Sequence, residues 1–492
     1  MTRGGGLQEV ELLDGDDDVP EQPVVPARSR RRLWWVPVGA AVVGLSLVGT
    51  QLVLDAREDA AAERLAAVPG VFPSIGDELV VVRTVPRDSA GTLWSGVEVG
   101  DGRTAGLVVG ADGSQSFTAT DQRTGETLWS TPLLGPHAQR AAAGEQAYGG
   151  GCQGDALRGT PSAVAVCVVT DGFSIYESDG TNEESVPATT TRVMVLDVQD
   201  GHVTAEWPAQ GMVRLAVLDG LVVVGTGEPG AGRVVVGHDL RSGEERWRYE
   251  EPPGDDPQQY WGVLAAGGLV GLYDEDTLTV LSPTGTVLRD DLQVDSGYGG
   301  GFSTDPVTGL ISLVTYADDG TELTTLLAPD ADPAADVVLD GTLLNVAVDD
   351  RSLPELVLTY QSRTFGWDRT TGEALWEAEV QPNYGVLVIR GRVYLTTSTE
   401  VVALDGRTGE VVWRTPLPEL GEGSLATDGR DLLLLSPKLG LGDDTGGVTF
   451  FDLGSGDVIR SLLYPEGVSD IQAMSGVLAA WSDGTEQVMI VE

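Results

Sequence analysis

The chain has 492 residues, 30 Lys and Arg against 75 Asp and Glu, and a formal net charge of −45. That balance excludes a nucleic-acid groove or an anionic-lipid surface as the default partner, because both need clustered basic side chains. The three histidines (His137, His202 and His238) have no metal-ligand spacing and the two cysteines no Cys-x-x-Cys pairing, so no metal site is expected.

Residues 1–32 hold few bulky apolar groups, the acidic run Asp16, Asp17, Asp18, and Pro20, Pro23 and Pro26. Such a stretch cannot bury enough apolar surface to fold alone and reads as a disordered cytoplasmic tail. Residues 33–54 contain no charge; as a helix they would span ~33 Å, enough for a bilayer's hydrocarbon core. Arg28, Arg30, Arg31 and Arg32 precede them, and Trp34 and Trp35 stand at the interface. This predicts an uncleaved transmembrane helix with its N-terminus in the cytoplasm. A cleaved signal peptide, using the small residues Ala60, Ala61 and Ala62, is the rival reading, but its apolar region would be shorter and its leader not so long. Residues 55–68 are strong helix formers halted by Pro69 and Gly70. Residues 55–74 are therefore expected to form a helical stalk, and 75–492 an all-β domain outside the membrane.

Residues 78–86 are strand-like and are expected to pair with the C-terminal sheet. A turn-and-tryptophan cassette then recurs: Asp121, Thr124, Gly125, Trp129; Asp239, Ser242, Gly243, Trp247; Asp368, Thr371, Gly372, Trp376; and Asp405, Thr408, Gly409, Trp413. Looser copies are Asp197, Asp200 and Gly201 with Trp207 arriving late, and Asp452, Ser455 and Gly456 with Arg460 in the Trp place. Degenerate copies are read at 281–285 and 328–332. Apolar, β-branched runs before each Asp and short runs after each Gly make every cassette a β-hairpin. The Asp side chain bonds nearby amides and Gly supplies positive φ. A period of roughly 40–50 residues signals a propeller, here expected to have eight four-stranded blades, with seven as the alternative. The 66 glycines, about twice average usage, belong at its turns.

Cys152 and Cys167 lie inside the longest interval between cassettes. Outside the membrane such a pair reads as a disulfide, with free thiols or a redox pair as the alternative. The long acidic loops 173–190 and 250–261 carry Tyr176, Tyr260 and Trp261, offered as a contact surface; variable solvated loops are the competing reading.

The cassettes resemble the pyrroloquinoline-quinone-type propeller repeat, with gaps, over residues 75–492. Arg preferred to Lys and heavy Ala, Gly and Val usage fit a high-GC, actinobacterial genome. The resemblance implies that Trp129, Trp207, Trp247, Trp376 and Trp413 dock neighbouring blades, so that the motif is architectural. It also implies two functional classes. Quinone-dependent dehydrogenases of this type hold the quinone with a calcium-type cation and often carry a vicinal cysteine pair, which this chain lacks. Envelope scaffold lipoproteins of outer-membrane assembly share the fold, although the lipobox cysteine that tethers them is missing here. The expectation is a non-enzymatic, membrane-tethered envelope binding module with no cofactor, catalytic residue or nucleic-acid partner. Its partner would be an envelope protein or a cell-wall polymer. The alternatives are a dehydrogenase using pyrroloquinoline quinone with calcium, and a carbohydrate-binding sensor.

Overall fold

In the computed structural model, residues 60–491 are described apart from 87–91, 94–95, 101, 144–146, 156–160, 177–181, 228–231, 252–260, 275–276, 295–301, 305–308, 318–319, 384, 418–422, 437–445, 475–476 and 482–486. The expected tail, the expected membrane helix at 33–54 and the start of the stalk lie outside these residues. Among the described residues no helix is long and apolar enough to cross a membrane.

Residues 61–492 form one compact unit, an all-β propeller of nine blades rather than eight or seven. Blade 1 joins Val97–Gly100, Arg103–Val109, Gln115–Asp121 and Thr127–Leu134 in sequence order, each strand antiparallel to the last. Blades 2 to 8 follow at 151–209, 212–251, 261–293, 302–340, 342–378, 386–416 and 424–463. Blade 9 consists of Asp470–Met474, Val477–Trp481 and Gln487–Val491, completed by Val81–Pro86 from the other end of the chain. Its closing pair runs antiparallel from Val81 opposite Val491 to Pro86 opposite Gln487. The cassette count misses this blade because its third and fourth strands are not joined by a hairpin, so there is no turn to carry a cassette.

The apolar runs explain the layering. Leu432, Leu433, Leu434 and Leu435 are all buried, because a strand inside a blade packs a neighbouring blade on each face. The outermost strands alternate instead: Val411–Pro416 buries only Trp413. Two departures from the repeat stand out. Thr342–Leu343 starts the inner edge of blade 6, and Val346–Asp349 then crosses to run parallel to Val386–Ile389 as a fifth strand of blade 7. Blade 2 carries an extra sheet of Ala147–Tyr148, Phe173–Tyr176 and Asn182–Val186.

Part of the expected stalk belongs to the ring. Residues 60–66 are helical, and Leu65 packs with Val348, Leu387 and Leu425 of blades 7 and 8. Phe72, Ile75 and Leu79 join the core between blades 8 and 9.

Candidate functional site

Each cassette turn is built the same way. The Asp121 carboxylate accepts from the amides of Arg123 and Thr124 at 3.0 and 2.9 Å, and Gly125 N–H closes the turn onto the Asp121 carbonyl at 2.8 Å. Gly125 has φ +74°, the left-handed region where a side chain is strained. Register shifts at 119/120, 237/238, 366/367, 403/404 and 450/451 mark a bulge beside each of these turns. These bonds favour the ionised carboxylate. The amide of Thr124 lowers Asp121, that of Thr371 lowers Asp368 and that of Ser455 lowers Asp452. Asp239, held by the amide of Ser242 and then by the Arg246 guanidinium, falls to about 2.

The glycine has a second reason to be there. The Trp of one blade lies against the cassette glycine of the next: an added Cβ would sit 2.4 Å from the Trp129 ring at Gly201, 2.7 Å from Trp376 at Gly409 and 2.4 Å from Trp413 at Gly456. The indole also donates to the carbonyl of the residue after the cassette Asp, Trp376 to Gly406 at 2.9 Å and Trp413 to Leu453 at 3.3 Å. Trp247 does the same to Pro283 at 2.8 Å, with Ser282 in the Asp place. Trp207 differs: it stacks on His238 at 4.7 Å, and its indole nitrogen has no hydrogen-bond partner.

Three arginines fill the same slot where the Trp is missing; sequence reading places Arg460 there but leaves Arg83 and Arg289 unassigned. Arg83, from the closing strand, donates to the Gln122 carbonyl at 3.0 Å and lies against Gly125 of blade 1. Arg460 covers the Phe450 ring at 4.1 Å and donates to the carbonyls of Ile75 and Gly76 at 2.8 and 2.7 Å. Arg289, between blades 4 and 5, donates to the Ala331 carbonyl at 2.7 Å and to both oxygens of Asp336 at 2.7 and 2.6 Å. Arg289 and Arg460 sit four residues after Gly285 and Gly456, the Trp offset itself. That offset is the signal that finds them.

Cys152 and Cys167 form the expected disulfide. They face each other in Gly151–Gly154 and Val164–Thr170, the inner pair of blade 2, so the bond joins two strands that already pair. Beside it Arg140 is 1% exposed, donating to the carbonyls of Thr170 and Gly172 and covering the Phe173 ring. Burial lowers its pKa, partly countered by Asp171. This cation fastens the extra sheet of blade 2.

The expected contact surface needs revision. Trp261 starts the inner strand of blade 4 and is only 8% exposed; it packs on Gly225 and beneath the Arg233 guanidinium, and its carbonyl accepts from Arg214. A large ring opening an inner strand is taken into the inter-blade core, so Trp261 is a core residue. Tyr260 lies outside the described residues. Tyr176 ends Phe173–Tyr176 on the face of the ring opposite the cassette turns. Tyr316, 53% exposed, lies on that same face at the end of Ile311–Tyr316. Among the described residues one group of possible cation ligands forms: Asp197, Asp200 and His202 bring one ligand atom each within 4.8 Å. Asp197 is bound to the Gln199 amide and Asp200 to His202, in an open turn, so the trio is explained by its own hydrogen bonds.

Among known families, the description "Outer membrane protein assembly factor BamB" matches residues 362–490, which span blades 6 to 9. No curated protein matches the chain. Among solved structures, BamB from Moraxella catarrhalis is 15% identical, covering 84% of this chain and 99% of its own, with a TM-score of 0.37. The computationally designed Ika8 protein is 14% identical, covering 86% and 99%, with a TM-score of 0.33. Dihydro-heme d1 dehydrogenase NirN is 16% identical, covering 82% and 79%, with a TM-score of 0.33. Likeness at this level speaks to neither mechanism nor partner. The repeat itself, an all-β propeller with cassettes of the pyrroloquinoline-quinone-like kind, agrees with the family match.

Proposed function

We propose that this chain is a non-enzymatic binding or scaffold module of the cell envelope, held outside the membrane by a helix at 33–54. The observation that carries the reading is the match of 362–490 to the outer membrane assembly factor family. The use of the cassette groups adds support. The Asp carboxylates are bound to turn amides, and the Trp and Arg side chains lie against the next blade. These groups hold the ring together and are not free for chemistry. A rigid ring then leaves its loops as the working surface, which suits protein binding. The net charge of −45 opposes a nucleic-acid partner. The reading requires no cofactor, and its partner is an envelope protein rather than a cell-wall polymer.

The test is site-specific photo-crosslinking in cells, with the photoreactive residue at position 316 on one face and at position 407 on the other. One discrete protein adduct from position 316, with none from 407, is expected. Adducts with glycan alone, or none from either face, would overturn the proposal.

A further inference from the structure

A propeller blade leaves the outer side of its fourth strand unpaired, and such an edge recruits passing chains unless a charge or a proline stands on it. Blades 1 to 7 place one there: Pro132, Glu206, Arg248, Asp290, Asp340, Glu377 and Arg414 are all exposed on the outer strands. Blade 9 ends its outer strand on Pro86. In blade 8 the outer strand, Val458–Leu463, has neither in an exposed position. Its exposed side chains are Val458 at 53%, Ile459 at 51%, Ser461, and Leu463 at 66%. Arg460, the one ionisable residue of the strand, is turned aside to the carbonyls of Ile75 and Gly76.

The backbone of this strand is available as well. Tyr464 donates its N–H to the Gly446 carbonyl at 3.0 Å, with Leu462 opposite Val448 and Arg460 opposite Phe450 in the same ladder. Bonding alternates along an antiparallel ladder, so Arg460 and Leu462 bond inwards, and Ser461 and Leu463 turn their N–H and C=O groups outwards. Among the described residues no strand pairs with that side. Exposed carboxylates stand at both ends, Asp457 before the strand and Glu466 after it. A second copy paired antiparallel about Ser461 would bring its own Glu466 beside Asp457, like charge on like. A segment with basic ends meets the opposite charge at each.

We propose that the outer edge of blade 8 binds an extended peptide by strand addition. The peptide's main chain bonds to Ser461 and Leu463, its apolar side chains lie beside Val458, Ile459 and Leu463, and Lys or Arg at its ends meets Asp457 and Glu466. Main-chain bonds hold such a strand, and the side chains and charges decide which peptides enter. This rim site is separate from the face tested at position 316 and does not depend on the reading above.

Residues 61–492 form one compact unit containing all the hydrophobic cores described, so they are titrated on their own by fluorescence polarisation. The probes are labelled peptides with an alternating Thr-Val centre, flanked at each end by two lysines or by two glutamates. One saturable site is expected for the lysine-flanked peptide, with the glutamate-flanked one about tenfold weaker or worse. Ser461→Pro removes an outward donor at a place where an edge strand tolerates proline, and should weaken binding about tenfold. Leu463→Lys gives the edge a charge of the kind the other blades carry, and should weaken binding by about as much. Val412→Lys, exposed on the outer strand of blade 7, should leave the affinity unchanged. Near-ultraviolet circular dichroism identifies the variants that keep the fold. The absence of saturable binding, equal binding of the two peptides, or parental affinity in a folded Ser461→Pro or Leu463→Lys would each overturn the proposal. So would a dimer in analytical ultracentrifugation that Ser461→Pro abolishes, since the edge would then belong to a second copy.

Discussion

The interfaces between blades 6, 7 and 8 and the two interfaces that flank blade 9 perform the same task with different side chains. In the first set, Trp376 and Trp413 cover the glycine of the next cassette and donate one hydrogen bond to the carbonyl after its Asp. At the seam, Arg460 and Arg83 donate to carbonyls of the following blade with their guanidinium groups. What these junctions share is an acceptor carbonyl on the far side, with a glycine lying against the incoming ring or guanidinium at Gly125, Gly409 and Gly456. Any flat donor of the right reach can complete it. An indole does so dry; a guanidinium does so while keeping part of its charge in water.

This comparison predicts a graded set of losses. Trp413→Ala empties a mostly buried slot and should cost about 3–5 kcal/mol in urea unfolding. Arg289→Met should cost about the same, because it strands the buried Asp336 carboxylate. If Arg289→Met instead proved neutral, the arginine slots would be decoration and the comparison would fail. Replacing Cys152 and Cys167 by Ser opens a loop of 15 residues and should cost about 3 kcal/mol. The two strands stay paired, so the ring should still form. Arg460→Ala, at a slot that is partly exposed, should cost only about 2 kcal/mol, and Arg460→Trp should recover most of that loss. A tryptophan that fails to rescue would show that the seam demands the cation itself.

The smallest effect concerns pH. Asp239 is depressed from 3.8 to about 2 in the folded chain, so its contribution is present above about pH 4 and lost as the pH falls from about 4 towards 2. Asp121, Asp368 and Asp452 are lowered too and act in the same direction. Glu251, Asp349 and Asp431 are raised by burial and act in the opposite one, since protonating them on acidification relieves a cost. Asp239→Asn should thus narrow its stability gap to the parent protein between about pH 4 and pH 2, as read by acid titration of tryptophan fluorescence. A gap that stays constant over that window would show that the turn bonds do not depend on charge.

Much of this architecture is legible in the residues. The offset from Asp to Trp is set by the length of a turn plus a bulge, so it survives in the sequence and identifies the repeated hairpins, while the degenerate ones at 281–285 and 328–332 are read from the gap the repeat leaves between Asp239 and Asp368. The ninth blade leaves no such trace, because its last hairpin is replaced by pairing between the two ends of the unit. The swapped strand Val346–Asp349 is equally silent, since parallel pairing to Val386–Ile389 follows from tertiary packing and has no periodicity of its own. Trp261 misleads in the other direction. Beside an acidic, Pro-rich stretch it reads as a loop aromatic, yet it opens the strand Trp261–Ala266 and is drawn into the core.

The claim that binds these observations is that the cassette groups serve the ring, leaving the propeller a cofactor-free binding module. The most direct test titrates residues 61–492 with pyrroloquinoline quinone and calcium, followed by absorbance and calorimetry, beside a dye-linked dehydrogenase assay on alcohols and aldoses. The account predicts no saturable binding and no turnover. Tight binding with turnover would contradict it and make the propeller an enzyme.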